Sequence, residues 1–128
     1  MVVLAIAGAI AMPSIRPALD SVRAEAAVRR TAAFFDDARR RAILERRVLV
    51  VACREQERRL VLRGAAAGEL VFSVPDAVTI ESCRPEEVRY LPQGSATGMT
   101  LLLRDGGGRA RSLSVGAFTG LSRIEPER

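Results

Sequence analysis

The first twelve residues, MVVLAIAGAIAM, carry no polar or charged side chain, and the stretch behind them is densely charged. As a helix this run spans roughly 18 Å at about 1.5 Å per residue, short of a hydrocarbon core of roughly 30 Å. Three readings compete for it: the apolar region of a signal peptide, a buried core helix, or part of a longer membrane helix. A signal peptide wants a basic stretch in front, and here Met1 is followed at once by Val2. A buried helix needs partners on all sides, which the strand-rich remainder does not supply. The membrane-helix reading alone accounts for the charged stalk directly behind the run. Pro13 and Pro17 are expected to bend or restart the helix, and from Ala18 to about Arg47 the chain reads as a long amphipathic helix. Ala24, Val28, Thr31, Phe35, Ala38 and Ala42 step by 4, 3, 4, 3 and 4 residues, which is one helical face.

Arg23, Arg29, Arg30, Arg40, Arg41 and Arg47 fall on the other side. Arg39, Arg40 and Arg41, with Arg46 and Arg47, read as a solvated face whose partners are Asp36, Asp37 and Glu45 at i,i+3 or i,i+4 spacing. Arg16 and Arg23, directly behind the apolar run, are placed for contact with lipid headgroups. All 20 basic residues are Arg; residues 1–47 hold 9 of them against 5 acids, and residues 48–128 hold 11 against 10. The positive excess therefore belongs to the helix, and the remainder is nearly neutral. With no His in the chain, the commonest general base and the commonest zinc ligand are missing. Neither a catalytic constellation nor a metal or cofactor site is expected, and no small-molecule substrate.

After Arg47 the pattern changes to short runs of branched residues. VLVVAC (48–53) is apolar on both faces, as in a covered strand beside the preceding helix. RLVLR (59–63), ELVFSV (69–74), VTIES (78–82), VRYLP (88–92), MTLLLR (99–104), ARSLSV (110–115) and LSRI (121–124) are further strand candidates, with Val78 and Ile80, then Leu113 and Val115, pointing inward. Turn residues separate them: Gly64 and Gly68, Pro75-Asp76, Arg84-Pro85, Gly94 and Gly98, and Asp105-Gly106-Gly107-Gly108. The Asp-Gly step makes a hairpin of MTLLLR and ARSLSV. Glu86 and Glu87 read as a turn. Cys53 and Cys83 form no metal-ligand spacing; they can pair in an oxidising compartment or serve as two small buried apolar groups. At 128 residues there is room for one domain with a helical extension. The expected class is α+β, a long helix over 1–47 followed by a small antiparallel β-sheet or sandwich domain over 48–128.

Several of these segments carry a family resemblance. VVLAIAG followed by a proline-interrupted amphipathic helix resembles the stalk of type IV pilins and type II secretion pseudopilins. YLPQGSATGMTLLL (90–103) and GGGRARSLSVGAFTGLSRI (106–124) resemble the GspH/FimT pattern, an aromatic-x-Pro-x-Gly turn leading into a hairpin that ends in Thr-Gly. DDARRRAILERRVLVVAC (36–53) is similar to that family's passage from helix to first strand. Family members begin with a basic leader ending in Gly, then Phe-Thr-Leu-Leu-Glu, and Met1 falls just after that Glu. About six further residues upstream would lengthen the apolar run to roughly 18, enough to approach a span.

The resemblance implies a structural subunit with no catalysis. It would be anchored once in the bacterial inner membrane with its C-terminal domain in the periplasm, and would assemble with other pilins or pseudopilins into a filament, forming the tip of a type II secretion pseudopilus that supports protein export or, less favoured, priming a type IV pilus. Val2, Val3, Leu4, Ile6 and Ile10 would serve membrane anchoring and filament assembly. Gly94, Gly98 and Gly120 would serve the tight turns between strands. The alternative is a FimT-like minor pilin that binds DNA, with Arg109, Arg111 and Arg123 near one end of the β domain contacting phosphates; a solvated hairpin is the plainer reading of these arginines, since only Tyr90 and two or three Phe could stack on bases and the β domain is nearly neutral. Against it, Gly120-Leu121-Ser122-Arg123 keeps only the second Arg of the Gly-Arg-x-Arg tail expected of DNA-uptake members.

Overall fold

The structure, a computed structural model, describes the backbone of residues 2–126 and the side chains of residues 19–125. One helix, α1 (Val2–Glu45), is followed by eight strands: β1 (Leu49–Arg54), β2 (Arg59–Arg63), β3 (Leu70–Ser73), β4 (Val78–Arg84), β5 (Glu87–Tyr90), β6 (Met99–Asp105), β7 (Ala110–Val115) and β8 (Ser122–Pro126). The helix continues through Pro13 and Pro17 without a restart, since each proline removes one i→i−4 bond and the bonds on either side persist. It ends where Arg46 turns left-handed at φ 54° and Arg47 N–H donates to the Ala42 carbonyl at 3.2 Å, the bonding of a Schellman cap in which Arg occupies the position usually given to Gly.

The strands form two four-stranded antiparallel sheets, ordered β3-β2-β1-β5 and β4-β6-β7-β8. The predicted helical face is the one that packs: Ala24, Val28, Thr31, Phe35, Ala38 and Ala42 are all buried. Five of these six are no larger than Val, so the helix can lie close to the sheets, with Phe35 filling the space between. Thr31, the one buried polar side chain among them, returns its hydroxyl to the Ala27 carbonyl at 2.8 Å. Leu49, Val51, Leu60, Leu62, Val88 and Tyr90 complete the core from the first sheet. Met99, Leu101, Leu103, Leu113 and Val115 complete it from the second, in the period-2 alternation of a sheet with one buried face. Packing thus runs across residue 47: the second half of α1 is part of the core of the β head.

The β6–β7 hairpin has the expected partners, Met99 opposite Val115 through Arg104 opposite Ala110. In β4, Val78 is buried and Ile80 partly buried, and then the register slips between Ile80 and Ser82. Glu81 is the additional residue of a bulge. A bulge reverses the in–out phase of the strand beyond it, so Cys83 rather than Ser82 turns to the core. There it is joined to Cys53 of β1, with Cα atoms 6.4 Å apart, inside the range a disulfide needs. One covalent bond therefore links the two sheets. Of the two acids read as a turn, only Glu86 lies outside a strand; Glu87 opens β5 and pairs with Arg63 at 2.6 Å.

No helix among the described residues is long and apolar enough to cross a membrane.

Candidate functional site

At the C-terminal end of α1, three segments far apart in sequence meet around one side chain. Arg39 lies four residues after Phe35 and three before Ala42, at the edge of the buried stripe, and is itself half-buried. Its Nε donates to the Gly94 carbonyl at 3.0 Å and to the Thr119 carbonyl at 3.2 Å. Gly94 belongs to the β5–β6 connection and Thr119 to the β7–β8 turn, so one guanidinium ties the helix to a loop leaving each sheet. The expectation that Arg39 belongs to a solvated face is thereby corrected. The signal available in sequence was its spacing from Phe35 and Ala42, which sets it beside the core rather than opposite it.

The glycines explain how the segments come so close. Gly94 has φ 98° and Gly120 φ 68°, in the left-handed region that side chains avoid. Space is limiting as well. A Cβ on Gly120 would collide with the Gly94 carbonyl oxygen and stand 3.2 Å from Arg39 Nε; one on Gly94 would stand 2.9 Å from Arg39 Nη2 and 3.1 Å from Ile43 Cδ1. Gly98, at φ 91° in the β5–β6 connection, packs on Ala117 of the β7–β8 turn.

The acids of this region do not all find the helix arginines. Asp37 does, holding Arg41 at 2.7 Å, and that hydrogen bond pushes the Arg41 guanidinium pKa further up. Asp36 instead accepts from the Ser122 hydroxyl at 2.6 Å, and Glu45 accepts from Ala66 N–H at 2.6 Å. Both stitch α1 to the head. Beneath the Arg39 clasp, Tyr90 is fully buried and its hydroxyl has no hydrogen-bond partner. Burial first, then the Asp36 carboxylate, push its pKa well above the usual phenol range, with Arg39 opposing. A tyrosine held there cannot stack on a base, which corrects that expectation. Phe35 is buried, and Phe34 and Phe72, partly buried, stack on one another with centroids 5.3 Å apart. Phe118, by contrast, is 91% exposed in the β7–β8 turn.

Two of the three arginines considered for DNA, Arg111 and Arg123, lie on opposite faces of their sheet. Arg111 is on the face of β7 shared with Leu113 and Val115, and it lines a cleft of about 320 Å³ with Glu25, Val28, Arg29 and Ile124. Arg123 pairs opposite Ser114, which places it on the reverse face, 3.6 Å from Glu125. Arg109 is in the β6–β7 turn, where the Asp105 carboxylate accepts from its N–H at 2.9 Å. Alternation along β7 and β8 is what separates Arg111 from Arg123. The assembly residues Val2, Val3, Leu4, Ile6 and Ile10 lie in the helical backbone, but their side chains are outside the described residues. No group of three or more metal-ligating side chains occurs among the described residues.

A long N-terminal helix built by its second half into two small antiparallel sheets is the fold of GspH/FimT-like minor pseudopilins. The minor pseudopilin EpsH from the type 2 secretion system of Vibrio cholerae superposes with a TM-score of 0.63 at 16% identity, covering 80% of this chain and 96% of EpsH. The type IV minor pilin FimU of Pseudomonas aeruginosa superposes in two crystal forms: a TM-score of 0.61 at 18% identity, covering 84% of this chain and 90% of FimU, and 0.58 at 19% identity, covering 81% and 92%. No protein-family model and no curated protein matches the sequence.

Proposed function

We propose that this chain is a minor pseudopilin of a type II secretion system, a structural subunit held in the inner membrane by the start of α1 and carrying its head in the periplasm. The observation that carries the reading is the helix itself. In a helix of 44 residues, about 66 Å at about 1.5 Å per residue, burial in the head begins at Ala24 among the described residues. Leu19 and Val22, just ahead of that point, are exposed apolar residues, as suits a helix that continues out of its own domain toward other helices. The likeness to EpsH and FimU along nearly their whole chains supports the same role. In that role the partners are other pilin-type subunits, and the chain performs no chemistry of its own. The placement of Arg111 and Arg123 on opposite faces favours a structural subunit over one that captures DNA, because phosphate binding needs a shared basic track.

Deleting the gene and measuring both exported enzymes and transformation frequency tests this. Reduced export with normal transformation is the expected result. Normal export with lost transformation would move the chain to a type IV pilus.

A further inference from the structure

Among the described residues three buried side-chain nitrogen or oxygen atoms have no hydrogen-bond partner: Arg58 Nε, Tyr90 Oη and Arg111 Nη1. They are not equivalent. Arg58 uses its other nitrogens on the Pro75 and Val78 carbonyls and on Asp76, and Tyr90 is sealed in the core. Arg111 lines an open cleft of about 320 Å³ between α1 and the β7–β8 pair, with Glu25, Val28, Arg29 and Ile124. It holds an inward position of β7, two residues before the buried Leu113, where alternation calls for an apolar side chain. A guanidinium stays charged in a protein, so a buried nitrogen without a partner costs free energy until an anion reaches it. Arg29, on the same cleft, is exposed and has no ion pair among the described residues. Glu25 precedes it by four residues, a spacing at which helix side chains meet, yet the two are not paired. Two cationic donors and one carboxylate thus stand open beside the aliphatic surface of Val28 and Ile124. That pattern suits an anion with an amine close by and an apolar body behind it; a bare phosphate would be repelled by Glu25.

The other described clefts carry no such signal. Beside Cys53 the lining acids are Glu55, Glu57 and Glu86, and Glu55 already accepts from Cys83 N–H at 2.7 Å. In the two clefts beside Asp20, Asp105 is engaged by its own turn and Asp76 approaches Arg58 at 3.5 Å. Position then indicates where the ligand comes from. Asp20 and Ser21 share a cleft with Asp105, Gly106, Gly107 and Arg109, so the β6–β7 turn lies at the end of the head where the first half of α1 leaves it. Arg111 follows that turn by two residues, whereas the β7–β8 turn lies at the opposite end, on Arg39. In a subunit held in the membrane by the start of α1, the Arg111 end is the one nearest the lipid.

Resting on that membrane-anchored reading, we infer that the cleft binds the zwitterionic head of a membrane phospholipid, its phosphate on Arg111 and Arg29, its amine on Glu25 and its glycerol end against Val28 and Ile124. Ethanolamine is the matching head: it has N–H donors for a carboxylate, which choline lacks, and a positive charge, which glycerol lacks.

The test reconstitutes the full chain in vesicles of phosphatidylethanolamine and phosphatidylglycerol in equal parts, with a diazirine analogue of leucine at Ile124 or, as a control, at the exposed Phe118. After irradiation, mass spectrometry should find a phosphatidylethanolamine adduct at 124, in excess over phosphatidylglycerol, and none at 118. Arg29→Gln and Arg111→Gln should each lower its yield about tenfold, as for the loss of one charge-assisted contact, and Glu25→Gln should abolish the preference between the two lipids. Thermal melting of Arg29→Gln should match the parent, so that its lost adduct cannot be blamed on misfolding. Equal labelling of both lipids by the parent, equal labelling at 118, or a yield indifferent to both arginines would overturn the inference. If soluble phosphoethanolamine raises the melting temperature of the parent but not of Arg29→Gln, while 124 gives no lipid adduct, the ligand is a free phosphate ester and the lipid assignment is overturned. A chain that floats with the vesicles yet gives no adduct at 124 sinks the cleft alone. A chain that never floats with them sinks the membrane-anchored reading and the inference together.

Discussion

Two glycine-rich turns close successive hairpins of the second sheet, and only one of them is also held from outside. The turn between β6 and β7 is self-contained: the Asp105 carboxylate accepts from Gly107 and Arg109 N–H at 2.9 Å each, and a Cβ on Gly106 or Gly108 would meet nothing within 4 Å. The turn between β7 and β8 has backbone bonds of its own, from Gly116 N–H to the Leu121 carbonyl at 2.9 Å and from Gly120 N–H to the Gly116 carbonyl at 3.0 Å, and is held from outside as well, by the Arg39 guanidinium and by the Gly94 carbonyl packed against Gly120. In the first, glycine serves backbone conformation alone. In the second it serves conformation and space together, and only that turn depends on the helix.

The sharpest way to break this contrast is Gly120→Ala, which adds a methyl against backbone that cannot move aside, at a residue already left-handed. A loss of roughly 3 kcal/mol in chemical denaturation is expected; a loss under about 1 kcal/mol would mean the two turns are alike. Arg39→Ala comes next. It removes a charged donor from two carbonyls in a half-exposed setting, and should cost about 1–2 kcal/mol while leaving the β6–β7 turn unaffected in amide exchange. Within the self-contained turn, Gly108→Ala should cost about 1 kcal/mol because φ is 84° there, whereas Gly106→Ala should stay within about 0.5 kcal/mol. Equal effects at 106 and 108 would show that conformation is not what the turn requires.

The smallest effect at neutral pH is expected from Tyr90→Phe, a few tenths of a kcal/mol, because the hydroxyl removed has no partner. Its pH dependence is more telling. The folded pKa is raised, so the unfolded chain ionises first: the contribution is complete below the unfolded value of about 10 and is lost as pH rises from there toward the folded value. The parent should therefore weaken above about pH 10, and Tyr90→Phe should flatten that slope. With one Tyr and no Trp in the chain, alkaline absorbance tracks this group alone.

Much of this molecule is legible in its sequence. Spacings of three and four residues from Ala24 to Ala42 identify the buried face of α1 because a helix has one period and no exceptions occurred along it. RLVLR and ARSLSV match β2 and β7 end to end, bounded as they are by turn residues. The pairing of cysteines was not legible, since it depends on the bulge at Glu81, and one inserted residue in a ladder leaves no mark in a strand's composition. The clasp was hidden for a related reason. Arg39 shares its surroundings in the chain with four other arginines, and only the fold brings Gly94 and Thr119, 55 and 80 residues away, to its guanidinium. Proline was the over-read signal: Pro13 and Pro17 punctuate the sequence more strongly than they interrupt the helix.

The bond between Cys53 and Cys83 also determines how the head responds to tension. A pull along α1 enters β1 almost directly, crosses the sulfur atoms into β4 and so reaches the second sheet, bypassing β2 and β3. Those two strands sit in a covalently closed loop with a sequence separation of 30. When the oxidised chain is stretched between its ends, its contour length should be shorter by roughly 100 Å than that of the reduced chain, at about 3.3–3.6 Å per residue.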